Sequence, residues 1–280
     1  MTPDTRVPMQ EGLIDHGAVA GMVRASEHRV YLGDVQRVLA LFTQGIAGQY
    51  LHLRPVAAAA QDTGGALNAI GATTDGAAIY LPAAVDSFDD TRHNFGVYRV
   101  AILHQIGFFQ FGTLGFSLER ARERITGLPP EPAWSGADRP ALARFFALWP
   151  APDVMRRIFV ALEDLRVDLN VRKRYPGVRA DLERTLAHAL AIREPMEGLN
   201  PAAALWERLV RFTLGAPRAD LERGLESDTQ RVRLARMLDA AQAVAQPGAR
   251  VYDSARAAVT CYGAILEAGR EALGEAQDDE

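Results

Sequence analysis

The segment Tyr98-Arg99-Val100-Ala101-Ile102-Leu103-His104-Gln105-Ile106-Gly107-Phe108-Phe109 places a histidine and a side-chain amide inside an apolar run. A zinc-peptidase helix reads H-E-x-x-H. Its two histidines share one helical face and hold one metal ion, and the glutamate takes a proton from the metal-bound water. Set against that pattern, His104 stands at the first ligand position, Gln105 at the base position and Phe108 at the second ligand position. A primary amide is too weakly basic to take that proton near neutral pH, and a phenyl ring cannot coordinate zinc. A third ligand would come from Glu163-Asp164, which lie in Ile158-Phe159-Val160-Ala161-Leu162-Glu163-Asp164-Leu165-Arg166-Val167. Their apolar neighbours predict burial, and a buried carboxylate needs a partner; Arg166, Arg157 or His104 could supply it. Granting His104 and Glu163 still leaves two protein ligands where catalytic zinc normally has three plus water. The expectation is a relic site of His104, Gln105, Phe108, Glu163 and Asp164 that packs and hydrogen-bonds. No catalytic residue, metal ligand or cofactor is expected. The competing expectation is a metal-dependent hydrolase that recruits another ligand, His93 or Asp164. Taken alone, the histidine segment also describes a core histidine on an apolar helix, and Glu163-Asp164 an ion pair that anchors a helix.

The elements that must position these residues are mostly helical. Val35, Val38, Leu39, Phe42 and Ile46 recur with a helical period between Tyr31 and Gln49. Gly64 to Gly76 reads as a loop, and Ala78-Ile79-Tyr80-Leu81-Pro82 as a short strand ended by proline. Asp89, Asp90 and Thr91 offer N-caps for a helix to about Phe111, with Gly112 placed at its C-terminal end. Gly127 to Pro140 reads as a long connection. A strong helix over 153–174 is closed by Pro176-Gly177, and further helices are expected over about 180–193, 201–214, 218–225, 228–245 and 252–273. The expected fold is mainly α with a small β-sheet, as a core over 1–195 and a helical extension over 196–280, parted at Glu194-Pro195-Met196-Glu197-Gly198, or one domain with a loop there.

Bulk properties exclude several classes. The 280 residues are 48% hydrophobic and 24% charged, an ordinary globular composition, and 31 Lys+Arg against 35 Asp+Glu give a formal net charge of -4. That balance gives no electrostatic reason to expect a nucleic-acid partner. A single cysteine, Cys261, excludes an internal disulfide framework and a cysteine zinc site. No G-x-x-x-x-G-K-[ST] or G-x-S-x-G occurs, so neither a Walker-type ATP site nor a serine hydrolase is expected. The N-terminal residues lack a signal-peptide pattern and no run of eighteen apolar residues exists, so a cytoplasmic, non-membrane protein is expected. Arg166, Arg172, Lys173 and Arg174 make the end of the 153–174 helix basic. They read as a solvated face with dipole compensation, or as a docking patch for an acidic partner.

Taken in order, several stretches resemble the N-terminal region of the CbbO/NorD family. They are "LHLRPVA" at 51–57, "AIYLP" at 78–82, "NFGVYRVAILHQIGFFQFGT" at 94–113 and "IFVALEDLRVDLNVRKRYPGVRADL" at 158–182. The His-Gln pair followed by Phe-Gly-Thr looks more like the CbbO branch than an active peptidase. The resemblance covers roughly 30–195 and implies a degenerate zincin-like (pseudo-metallopeptidase) core. It implies an adaptor for a hexameric MoxR-type AAA+ ATPase, acting with it as a rubisco activase, a chaperone of carbon fixation that remodels inhibited rubisco. A NorD-like maturation factor for nitric oxide reductase is the alternative. The family's von Willebrand factor A (VWA) domain needs D-x-S-x-S, and Asp253-Ser254-Ala255-Arg256-Ala257 lacks the second serine and looks helical. The expectation is therefore an N-terminal fragment or a shortened relative, with the ATPase as the better-supported partner and rubisco as a possible client.

Overall fold

The computed structural model describes residues 27–56, 73–74, 77–136, 138–225 and 227–278. The chain is 66% helix and 6% strand. A short strand β1 (Val30–Tyr31) leads into α1 (Leu32–Ala47). Four strands follow: β2 (His52–Pro55), β3 (Thr73–Thr74), β4 (Ala78–Leu81) and β5 (Ala84–Val85). After them come α2 (Thr91–Gln110), α3 (Leu118–Arg124), α4 (Ala141–Ala147), α5 (Pro152–Arg174), α6 (Arg179–Ala191), α7 (Pro201–Thr213), α8 (Arg218–Leu221), α9 (Asp228–Val244) and α10 (Val251–Asp278). β4 is the centre of a three-stranded sheet ordered β2-β4-β3, parallel to β2 with Leu53 opposite Ile79, and antiparallel to β3. β1 and β5 form a separate antiparallel pair. Most of the loop read over 64–76 lies outside the described residues; Thr73 and Thr74 within it form β3.

α2 begins where the sequence places it. Asp90 is extended and its carboxylate accepts from the backbone N–H of Arg92 and His93, which satisfies two of the helix's free donors. Gly112, with φ +81°, follows its last turn. This helix is apolar on nearly every face, which suits one surrounded by protein. Ile102, Tyr98 and Ala101 join the sheet and α1 in one apolar cluster, while Val100 and Leu103 join Val167, Val171 and Leu182 in another. Tyr98 donates its phenol to Pro82 O at 2.9 Å. The buried Asn94 amide makes four bonds. It accepts from the backbone N–H of Ser87 and Phe88 and donates to the carbonyls of His28 and Phe88. These two side chains fasten the β1/β5 ribbon to α2.

Two glycines let other helices approach α2. A Cβ on Gly96 would stand 2.8 Å from Asp181 Cγ on α6, and one on Gly107 would stand 2.5 Å from Val167 Cγ1 on α5. Gly107 therefore sets how closely α5 passes His104. α5 is itself the hinge of the packing. Its Ile158, Phe159 and Leu162 belong to a third cluster with Leu209, Leu234, Met237 and Ala258. The polar stretch near residue 195 thus lies between helices that share one core. Between the end of that connection at Pro140 and α5 lies a helix the sequence did not mark: α4 carries Phe145, fully buried against Phe116 and Phe159. Asp253–Ala257 lies in α10, as its composition suggests. Among the described residues no helix is long and apolar enough to cross a membrane.

Candidate functional site

α2 and α5 meet with His104 between them. His104 and Gly107 lie one turn apart on α2, so the notch that admits Val167 also brings the same face of α5 to the imidazole. Asp164 and Asp168 are four residues apart on that face. His104 Nδ1 lies 2.8 Å from Asp168 Oδ1, and Nε2 lies 3.0 Å from Asp164 Oδ1. All three side chains are buried. Each ring nitrogen therefore faces a carboxylate oxygen, an arrangement that suits an imidazolium donating from both sides. Burial opposes the charge on His104, but Asp168 and Asp164 together outweigh it and push the pKa up to about 10. Burial also raises the pKa of Asp168, although His104 pulls it back. With both carboxylates ionised the trio carries one net negative charge, and Asp164 Oδ2 is buried with no hydrogen-bond partner among the described residues.

Phe108 stands one turn beyond His104 and packs against it edge-on, with ring centroids 4.9 Å apart and planes at 84°. The position that would hold a second histidine thus supplies an apolar wall. Gln105 is buried beside them. A metal at His104 would need a ring nitrogen lone pair, yet both nitrogens point at carboxylates that call for N–H. Among the described residues no group of three or more His, Cys, Asp or Glu side chains is arranged to hold a metal ion.

Of the partners the sequence left open for Glu163 and Asp164, the structure gives Arg166 to Glu163 and His104 to Asp164, so Glu163 does not join the His104 group. Glu163 sits about 100° around α5 from Asp164 and faces away from His104. Arg166 Nε donates to its Oε2 at 2.8 Å and Nη2 to its Oε1 at 2.5 Å. Thr113, just beyond α2, donates to Oε1, and Ser254 of α10 donates to Oε2 at 2.7 Å. Glu163 is fully buried and Arg166 is 3% exposed. Arg166 therefore leaves the candidate docking patch, because its guanidinium is enclosed by the carboxylate it neutralises. Arg172 stays half-exposed, its Nε 3.9 Å from Glu183, and Lys173 and Arg174 are exposed at the end of α5. Arg174 reaches the Tyr175 hydroxyl at 3.3 Å, and that hydroxyl donates to Gln110 on α2. His93 lies eleven residues before His104 on the same helix, roughly 16 Å away at the rise per residue of an α-helix. Its ring packs against Phe88, so it does not join the site.

Sequence reasoning passed over Asp168, Thr113 and Ser254. Asp168 had a signal: it repeats Asp164 at helical spacing on a segment expected to be buried. Thr113 and Ser254 come from 50 and 91 residues away from Glu163, and nothing local marks them. Comparison of the chain with family models, curated proteins and solved structures found no match.

Proposed function

We propose that this chain is a non-catalytic adaptor of the CbbO/NorD kind, which couples a MoxR-type AAA+ ATPase to the remodelling of a client protein, with inhibited rubisco as the leading candidate. The observation that carries the non-catalytic part is the double engagement of His104 by Asp164 and Asp168. Gln105 and Phe108, in the base and second-ligand positions, supply neither a proton acceptor nor a metal donor there, and both ring nitrogens of His104 are engaged. In this reading the small sheet, α2 and α5 are a zincin-like core whose catalytic centre has become a structural fastener. The family part rests on the ordered sequence resemblance over 30–195. The exposed end of α5, with Arg172, Lys173 and Arg174, is the natural place for an acidic surface of the ATPase to dock.

Co-purification of the chain with a MoxR-type hexamer at micromolar concentration, followed by an ATPase assay, tests the reading. A complex is expected, and reversing the charges of Arg172, Lys173 and Arg174 to Glu should weaken it at least tenfold. Finding no complex overturns the adaptor. Elemental analysis tests the chemistry separately. Stoichiometric zinc that is lost on His104→Ala would instead favour a metal-dependent hydrolase.

A further inference from the structure

The C-terminal half contains a second site, remote from His104 and independent of the adaptor reading. α7, the turn after α8 and parts of α9 and α10 enclose a cleft of about 870 Å³. Leu199, Leu205, Leu225 and Ala268 give it apolar patches, set among polar groups that include Glu197, Thr229 and Gln230, and Arg208 and Arg233 also face it. The two cations differ. Arg233 is held in a two-pronged pair by Glu271. Arg208 is buried at 6% exposure, and its hydrogen bonds all run to backbone carbonyls. Nε donates to Leu221 at 2.8 Å, Nη2 to Arg223 at 3.0 Å and Nη1 to Ala204 at 3.4 Å. Glu207, its neighbour in sequence, is taken by Arg193 and Arg211. Among the described residues no carboxylate pairs with Arg208. Burial lowers its pKa, and nearby Arg211 lowers it further.

A buried cation without a counter-charge is costly. A guanidinium has five N–H donors, so three bonds leave two unused. The N-terminal end of α9, a helix of 17 residues, also opens on the cleft through Ser227 and Thr229 and adds its positive dipole end. A buried guanidinium bonded only to backbone carbonyls, at the wall of a cleft that also has apolar patches, suits one negative charge on a partly apolar body. We propose that this cleft binds a small amphipathic carboxylate, with the carboxylate group at Arg208 and the hydrocarbon chain along Leu205 and Leu225. A phosphate monoester, with its greater charge and hydration, fits these walls less well.

Isothermal titration of the full chain with octanoate and with octanol provides the test. Octanoate is expected to bind saturably, and octanol at least tenfold more weakly. Arg208→Gln should cost octanoate binding tenfold or more. Because Arg208 also ties down the turn after α8, that variant can lose its fold. Ala204→Trp, which fills the cleft and leaves Arg208 in place, should abolish binding while circular dichroism reports a native helical melt. Wild-type protein without saturable octanoate binding, equal affinity for octanol, or undiminished binding by a folded Ala204→Trp protein would each overturn the proposal. Glu226, between Leu225 and Ser227 in sequence, lies outside the described residues and supplies a last control. Octanoate binding that arises only in Glu226→Gln would show that the chain's own carboxylate occupies Arg208, which also overturns it. Binding by the wild type that Glu226→Gln leaves unchanged supports it.

Discussion

Glu163 and Asp164 are adjacent in sequence and almost completely buried, at 0% and 2% exposure, yet they are used in opposite ways. Glu163 meets one guanidinium and two hydroxyls, so its charge and both oxygens are satisfied. Asp164 shares one imidazole with a second carboxylate and leaves an oxygen unpaired. The first arrangement is neutral and joins three segments, α5, the turn after α2, and α10. The second is charge-imbalanced and joins only α2 to α5. Burial alone thus does not say what a carboxylate does; the count of donors and of opposing charge around it does.

The largest expected effects come from removing each cation. Arg166→Met leaves Glu163 buried without its counter-charge and should destabilise the fold by about 3–5 kcal/mol in urea unfolding. His104→Leu should fall in a similar range of roughly 3–5 kcal/mol, since two carboxylates then face each other without a cation. Adding Asp168→Asn should recover part of the His104→Leu loss and none of the Arg166→Met loss. Recovery of both, or of neither, would break the distinction between the two networks.

Acidity separates them next. His104 has a folded pKa of about 10 against an ordinary 6.5. Its proton therefore stabilises the fold fully below about pH 6.5, and that contribution is lost as pH rises toward 10. Asp168, raised chiefly by burial, acts in the same sense from its ordinary 3.8 upward. Urea midpoints should fall between about pH 6.5 and 8.5 in the wild type and in Arg166→Met, and the part of that fall that belongs to His104 should be missing from His104→Leu, where only the buried carboxylates remain to titrate. That window stays below the ordinary value of 9.0 for Cys261, which burial raises to about 12. An equal slope in the His104→Leu protein would remove the imidazolium from the account.

The smallest effect probes the redundancy around Glu163. Ser254→Ala removes one of several donors and should cost about 1 kcal/mol, because the carboxylate keeps Arg166 and Thr113. A loss as large as that of Arg166→Met would mean that α10 is held to α5 mainly through this one hydroxyl.

Much of the scaffold was legible because local rules agreed. The helix over 91–110 had a capping aspartate, an apolar run and a following glycine, and the helix over 152–174 had Pro152 in its first turn and a basic end. Burial of Glu163 and Asp164 followed from their apolar neighbours. What failed to show was anything set by a partner far along the chain. The sequence named Arg166 and His104 as possible partners but could not assign them, because the choice depends on a rotation of about 100° between successive residues on α5 and on which helix lies on each side. α4 escaped because its seven residues, Ala141–Ala147, are too few to display a period. Arg166 looked like part of a basic surface because charge runs are usually solvated, and only the packed structure shows Glu163 beneath it.

The edge-on contact between Phe108 and His104 bears on any attempt to engineer an enzyme here. Writing histidine at 108 and glutamate at 105 would recreate the metallopeptidase spelling without its chemistry. The imidazole at 104 would remain clasped by two acids that favour its protonated form, so an incoming zinc ion would have to expel a proton that those acids hold tightly. A working redesign would have to begin on the opposite helix, at 164 and 168.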